Sequence, residues 1–325
     1  MGPVSPSALG RRPLLLAGIA ALGAAGAGCA SQRPAGRDAT RPTGPFWVDP
    51  DSEAAREAAR DPALSVIADQ PTALTVIGSQ GDMLHRVTAA AAQAHAAGQT
   101  LVLQVYDIPH RDVGGGYSAG GAASTDAYLQ DTRLIARAVA GTPTVLVLEP
   151  DSLGQMDALS PADQAARYRL LNTAVDVYRA VTGVVVYLDG TNSGWLPAPE
   201  MARRLLSAGV ARTQGFAVNV SNFYPTADEA DRAEQISSLT GGSHYVIDTS
   251  RNGGPVLQGH RSSWCNPPDR RLGQRPTAHT DYPHADAYLW LKHPGESDGD
   301  CAPGQPPAGQ WYPSYARGLL GLPPS

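Results

Sequence analysis

Phenylalanine and cysteine each occur only three times in 325 residues, and charged side chains make up only 17% of the chain. An excess of one charge is also missing. Lys and Arg number 25 against 30 Asp and Glu, a net charge of −5, so there is no basic surplus to neutralise a phosphate backbone, and no nucleic-acid partner is expected. The longest apolar run, Leu14 to Leu22, is too short to cross a bilayer once its glycines are counted. The eight histidines show no His-x-x-x-His or similar ligand spacing, and no phosphate-cradling glycine motif follows a strand-like run, so neither a metal nor a cofactor is expected. What is present is 42% hydrophobic residues with 35 Gly and 28 Pro, the composition of one large soluble domain or two small ones with long, turn-rich loops; whole-chain disorder and a coiled coil are excluded.

The amino terminus has export-signal architecture: Arg11 and Arg12, then the apolar run, then small residues up to Cys29. The Arg pair also permits a twin-arginine route. Gly26-Ala27-Gly28-Cys29 is similar to a lipoprotein cleavage site without its usual bulky residue, so lipidation at Cys29 and simple cleavage nearby both stay open. The remaining cysteines are Cys265 and Cys301, which an exported chain would pair. The expected layout is an export signal over 1–29, a Pro/Gly/Arg-rich linker over 30–44, and a single catalytic domain over 45–325. The protein is expected to be a monomer, secreted or lipid-anchored at the cell surface.

After Pro45, short β-rich runs alternate with Ala- and Leu-rich segments of helical spacing. Strands are predicted at Leu74–Ile77, Leu101–Val105, Thr144–Leu148, Val184–Leu188, Gly215–Val218, Tyr245–Ile247 and Ala287–Leu291. Helices are predicted at Asp82–Ala97, Thr125–Val139, Pro161–Val181, Ala198–Ala208 and Thr226–Leu239. This alternation predicts an α/β fold, a parallel β/α barrel of about seven strands. All strand ends then share one face, where loops assemble an active site. The residues there are Tyr106 and Asp107, Glu149 to Asp151, Asp189, Asn219, Asp248 and Lys292.

Four carboxylates stand out: Asp112, Asp151, Asp189 and Asp298. Taken singly, each reads as a turn or capping aspartate. Crowded on one rim, like charges raise one another's pKa and leave a carboxyl protonated near neutrality, which acid–base hydrolysis needs. Trp195 and Trp264, with Trp47 and Tyr106 as lesser candidates, fall in polar loops at the same end, where aromatic rings stack on sugars. Gly116-Tyr117-Ser118-Ala119-Gly120 matches a nucleophile elbow in letters but lacks the strand running into it, so a serine esterase is disfavoured.

These motifs, from Tyr106-Asp107-Ile108-Pro109-His110-Arg111-Asp112 through Glu149-Pro150-Asp151 and Asn192-Ser193-Gly194-Trp195 to Trp264-Cys265-Asn266 and Lys292 with Gly295-Glu296-Ser297-Asp298-Gly299, resemble glycoside hydrolase family 6, the cellulases. The resemblance runs from about Pro45 to Leu320. It implies a distorted, incompletely closed barrel and an inverting endo-β-1,4-glucanase acting on β-1,4-glucan or cello-oligosaccharides. Asp151 is then the general acid, Asp112 the neighbour that keeps it protonated, and Ser118 the loop serine that holds the water. Asp298 is the residue often proposed as base, weakened if Arg251 and Lys292 sit beside it. The resemblance further implies a cleft role for Asp189, a place at the cleavage point for Tyr106, sugar stacking by Trp195 and Trp264, and hydroxyl contacts from Lys292 and Glu296; Asn222 and the loop aromatic Trp47 are further substrate-binding candidates. It also implies a disulfide between Cys265 and Cys301. The family's other disulfide is absent, because Val113 and Ala158 stand at its positions, and Gly190-Thr191 replaces the Ala and Gly usual after the Asp. The short segment after Cys301 favours an open cleft over a tunnel. An exo-acting cellobiohydrolase and a non-catalytic carbohydrate-binding protein are the alternatives.

Overall fold

Seven strands form one all-parallel sheet in sequence order: β1 (Leu74–Val76), β2 (Leu101–Val105), β3 (Thr144–Leu148), β4 (Val184–Asp189), β5 (Gly215–Val218), β6 (His244–Asp248) and β7 (Ala285–Leu289). The computed structural model describes residues 2, 41–78, 82–255 and 264–324, so Cys29, the export signal apart from Gly2, and linker residues 30–40 lie outside the described residues. All but Gly2 of the described residues belong to one compact unit, Gly36–Ser325.

Apart from Thr75 in β1 and His244 in β6, every strand residue is buried, in keeping with the apolar runs that parallel sheets require. Alternation decides the direction of each side chain. In β2 and β3, Leu101, Leu103, Val105, Leu146 and Leu148 pack outward in one apolar cluster, while Val102, Val145 and Val147 point to a second inside the curl. The outer cluster is completed by α3 (Asp82–Ala96), α4 (Thr125–Ala138), α5 (Pro161–Arg179), α6 (Ala198–Ala208) and α7 (Thr226–Leu239). Local chemistry sets the helix starts. The Ser124 and Ser160 side chains accept from Ala127 and Asp163 N–H, and Pro161 occupies a first-turn position where its missing donor costs nothing.

The sheet curls without closing. Among the described residues no ladder joins β1 to β7; one backbone hydrogen bond, Ala73 N–H to the Trp290 carbonyl at 2.9 Å, spans the seam. The predicted elements are present, with three differences. The last strand lies two residues earlier than expected, because the Leu291 and Lys292 N–H groups turn to the Asp248 carboxylate (3.3 and 3.1 Å) instead of continuing a ladder. The short helices α1 (Glu53–Ala58), α2 (Ser65–Ala68) and α8 (Pro313–Leu319) were not predicted; each is too brief to show a period. Trp47 is a correction. It is only 6% exposed and packs in the outer apolar cluster with its N–H on the Thr100 carbonyl (2.9 Å), so its ring is a core filler and no open sugar platform.

At the pole opposite the strand ends, the first described residues lie against the fold. Arg41 meets Asp286 Oδ1 at 3.3 Å and His244 Nε2 at 3.2 Å, at the starts of β7 and β6, and Phe46 bridges to Thr100 just ahead of β2.

Candidate active site

The carboxyl ends of β2, β3 and β4 bring Tyr106, Asp112, Asp151 and Asp189 together. Four non-glycine residues around the turns after β2 and β3 adopt left-handed backbone: His110, Asp112, Glu149 and Asp151, with φ between 53° and 64°. Such strain persists only where the surroundings over-determine it. Buried Glu149 is part of that determination. Its carboxyl accepts the N–H groups of Asp107 (3.0 Å) and Ile108 (2.9 Å), which fixes the peptides directly after Tyr106. Burial pushes Glu149 up to about 8, so it is neutral at pH 7, and its backbone donors only partly offset this.

Asp151 is half-buried. Its Oδ2 accepts from the Tyr106 hydroxyl at 3.3 Å, and its N–H donates to Asp189 Oδ2 at 3.0 Å. Burial and then the Asp112 charge push Asp151 up to about 6. Asp189, fully buried, is raised further by burial and by Asp151, against the weaker pull of backbone donors and Arg232. Asp112 is held without a cation. Ser118 N–H donates to its Oδ2 at 2.7 Å and Gln155 Nε2 to its Oδ1 at 2.9 Å. The loop folds so tightly over it that a Cβ on Gly115 would lie 2.3 Å from Oδ1. Arg111 stays close but is used elsewhere, on the carbonyls of Tyr106 (2.6 Å) and Ser118 (2.7 Å) and over the Tyr106 ring at 4.8 Å.

Asp298 stands apart from this group. Its Oδ2 accepts from Arg251 Nη1 (2.9 Å) and Asn266 N–H (3.0 Å), and Lys292 Nζ lies 3.8 Å from Oδ1. The expected crowding of all four carboxylates therefore holds for three of them; cations claim the fourth. Lys292 donates to the Ser297 carbonyl at 2.9 Å, and Glu296 is held by His293 at 2.5 Å. Burial works to raise Glu296, but His293 and Lys292 outweigh it and lower its pKa. The Cys265–Cys301 disulfide braces this side.

Among the predicted aromatics, Trp264 is 38% exposed and Trp195 half-buried. Tyr117, on the glycine-rich loop beside Ser118, meets Trp264 edge-on with ring centroids 5.2 Å apart, so the loop reaches over the cleft to the Asp298 side. Asn222 is half-buried, with its amide on the Val220 carbonyl at 3.1 Å. The Ser118 segment neither leaves a strand nor enters a helix, since β2 ends at Val105 and α4 begins at Thr125.

Sequence reading gave Glu149 and Asp248 no role beyond strand ends, and named Arg251 only as a cation beside Asp298. Buried Asp248 accepts from Ser221, Ser250, Leu291 and Lys292 N–H and ties three loops together. Arg251 is fully buried, lies 4.3 Å from the centre of the Phe223 ring and donates to the Ser221 carbonyl at 2.8 Å.

A curled parallel sheet whose open rim holds a carboxyl raised to about 6 among other carboxylates, with aromatic rings beside it, defines a glycoside hydrolase. Residues 46–321 match the family described as glycosyl hydrolases family 6, and the chain belongs to it. It is 37% identical over 297 residues to "Endoglucanase 1" of Streptomyces halstedii, covering 87% of this chain and 90% of that protein. It is 39% identical over 284 residues to "Endoglucanase A" of Cellulomonas fimi, covering 85% of this chain and 61% of that longer protein. The solved structure of the endoglucanase Cel6 from Mycobacterium tuberculosis, in complex with methyl-cellobiosyl-4-deoxy-4-thio-β-D-cellobioside, superposes with a TM-score of 0.81 at 42% identity, covering 86% of this chain and 97% of that one.

Proposed function

We propose that the protein is an inverting endo-β-1,4-glucanase with Asp151 as its general acid. The observation that carries this reading is a carboxyl pushed up to about 6 on the open rim, beside the Asp112 charge and in reach of the Tyr106 hydroxyl. Asp151 gives its proton to the glycosidic oxygen as the C–O bond breaks, and a water attacks the anomeric carbon from the opposite face. The proton that water loses passes to Asp112, whose partners are neutral donors, rather than to Asp298, whose oxygens face two cations. Ser118 and its loop hold the water, and Asp189 fixes the Asp151 backbone. Trp195 and Trp264 stack on glucosyl rings, with Lys292, Glu296 and Asn222 meeting hydroxyls.

Internal cleavage is supported by relatives named endoglucanases at 37–40% identity, against 29% for "Exoglucanase-6A" of Humicola insolens, and by the short segment after Cys301. The sequence before residue 41 further supports export, with Cys29 as the candidate lipid anchor; incorporation of labelled palmitate, abolished by Cys29→Ala, tests it.

The deciding experiment is time-resolved NMR of cellopentaose hydrolysis. Transient α-anomer at the new reducing ends supports the reading, and β-anomer as first product overturns inversion. A steep fall in the viscosity of a soluble β-glucan ahead of reducing-end release marks internal cleavage. Binding without cleavage would leave a carbohydrate-binding protein.

A further inference from the structure

The loop between β4 and α6 carries Trp195, and α7 grips it with two side chains one turn apart. Arg232, 6% exposed, donates from Nη1 to the Gly190 carbonyl (3.0 Å), from Nη2 to Thr191 Oγ1 (2.9 Å) and from Nε to the Leu196 carbonyl (3.0 Å). Glu229, fully buried, accepts the Ser193 N–H at 2.7 Å. Both ends and the middle of the loop are therefore tied to one helix. Thr191 sits at φ 61°, a backbone region costly for a β-branched residue, and its hydroxyl is where Arg232 takes hold. The far side of the loop presses on the turn that bears Asp151. A Cβ on Gly154 would lie 2.8 Å from both Thr191 Cγ2 and the Trp195 ring, so there is no slack between them.

We propose that Arg232 is a positioning residue for substrate specificity: through Thr191 and the carbonyls of Gly190 and Leu196 it fixes the Trp195 ring against the Asp151 turn, so that a glucosyl unit stacked on Trp195 is in register with the acid. The proposal rests on the reading of Trp195 as a sugar platform. A guanidinium that only balanced the buried Asp189 and Glu229 charges would need no fork on three loop atoms, since charge balance has no directional requirement.

The test is a double-mutant cycle on cellohexaose in the full chain. Thr191→Val keeps the β-branch and its backbone cost but removes the acceptor, Thr191→Ser keeps the acceptor, and Arg232→Lys keeps the charge but loses the fork. Thr191→Val and Arg232→Lys are each expected to lower kcat/KM about five- to tenfold, the net scale of one lost hydrogen bond. Thr191→Ser is expected to stay within about twofold of wild type, below that scale. In a Trp195→Ala background the same losses should shrink below about twofold, because the route through the ring is gone. Undiminished losses in that background, or unchanged kinetics in Thr191→Val and Arg232→Lys, would overturn the proposal. If Trp195→Ala alone left kcat/KM and calorimetric affinity for cellohexaose unchanged, the platform reading would fall and take the proposal with it, an outcome that differs from the other two. Thr191→Val is a local change, so the cycle stands even if Arg232→Lys folds poorly.

Discussion

Two carboxylate neighbourhoods share the rim and solve the same burial problem in opposite ways. Around Asp151 the fold supplies further carboxylates and a phenol but no cation bonded to it, and burial with the Asp112 charge pushes it up to about 6. Around Asp298 it supplies Arg251 and Lys292 with the Asn266 N–H, so its oxygens face cations and a backbone donor. What sets the two apart is the partners: like charges and a neutral hydroxyl on one side, cations on the other. The first neighbourhood is suited to proton transfer, the second to holding loops that meet at Asn266, Asp298 and the Cys265–Cys301 disulfide.

The largest effect that would sharpen this contrast is Asp151→Asn. Initial-rate assays on cellohexaose should show kcat lower by about 10²- to 10⁴-fold, the usual worth of a positioned acid, with calorimetric affinity retained. Next is Asp298→Asn. It removes the anion from a fully buried Arg251, so chemical denaturation should report a loss of about 3–5 kcal/mol, as expected for breaking a buried pair. A variant as stable as wild type but as inactive as Asp151→Asn would break the comparison and restore Asp298 as base. A smaller effect concerns Glu149, raised to about 8. A carboxyl raised on folding binds more protons in the native state, so its contribution is full below its unfolded pKa, near the ordinary 4.5, and fades as pH climbs to about 8. Melting temperatures should therefore fall across that window, and Glu149→Gln should flatten the slope. The smallest effect lies in the pH profile. Activity needs protonated Asp151, so kcat/KM should decline as pH rises through about 6. The residual activity of Asp112→Asn, freed of the neighbouring charge, should show that limb displaced to lower pH by roughly one unit.

The barrel was legible in the chain because its strands are short, mostly apolar and separated by helices of clear period; five helices and seven strands follow from spacing alone. The rim was legible because parallel topology sends every strand end to one face, placing Tyr106, Asp151 and Asp189 together before any distance was known. Three kinds of information were not. The depth of a side chain depends on what packs over it, so Trp47 read as a loop aromatic and proved to be core. The partner of a charge lies far along the chain: Arg232 reaches back 41 residues to Thr191, and Arg251 was placed beside Asp298, 47 residues away, only through the family resemblance. Asp248 is silent in sequence because its role is to accept backbone N–H groups, which every residue except proline offers.

The clasp of Arg41 on Asp286 and His244 has a mechanical meaning. A tether attached ahead of residue 41 starts from the pole opposite the cleft. Residue 41 thus meets the fold at the starts of β6 and β7, at the strand ends farthest from Asp151 and Asp189.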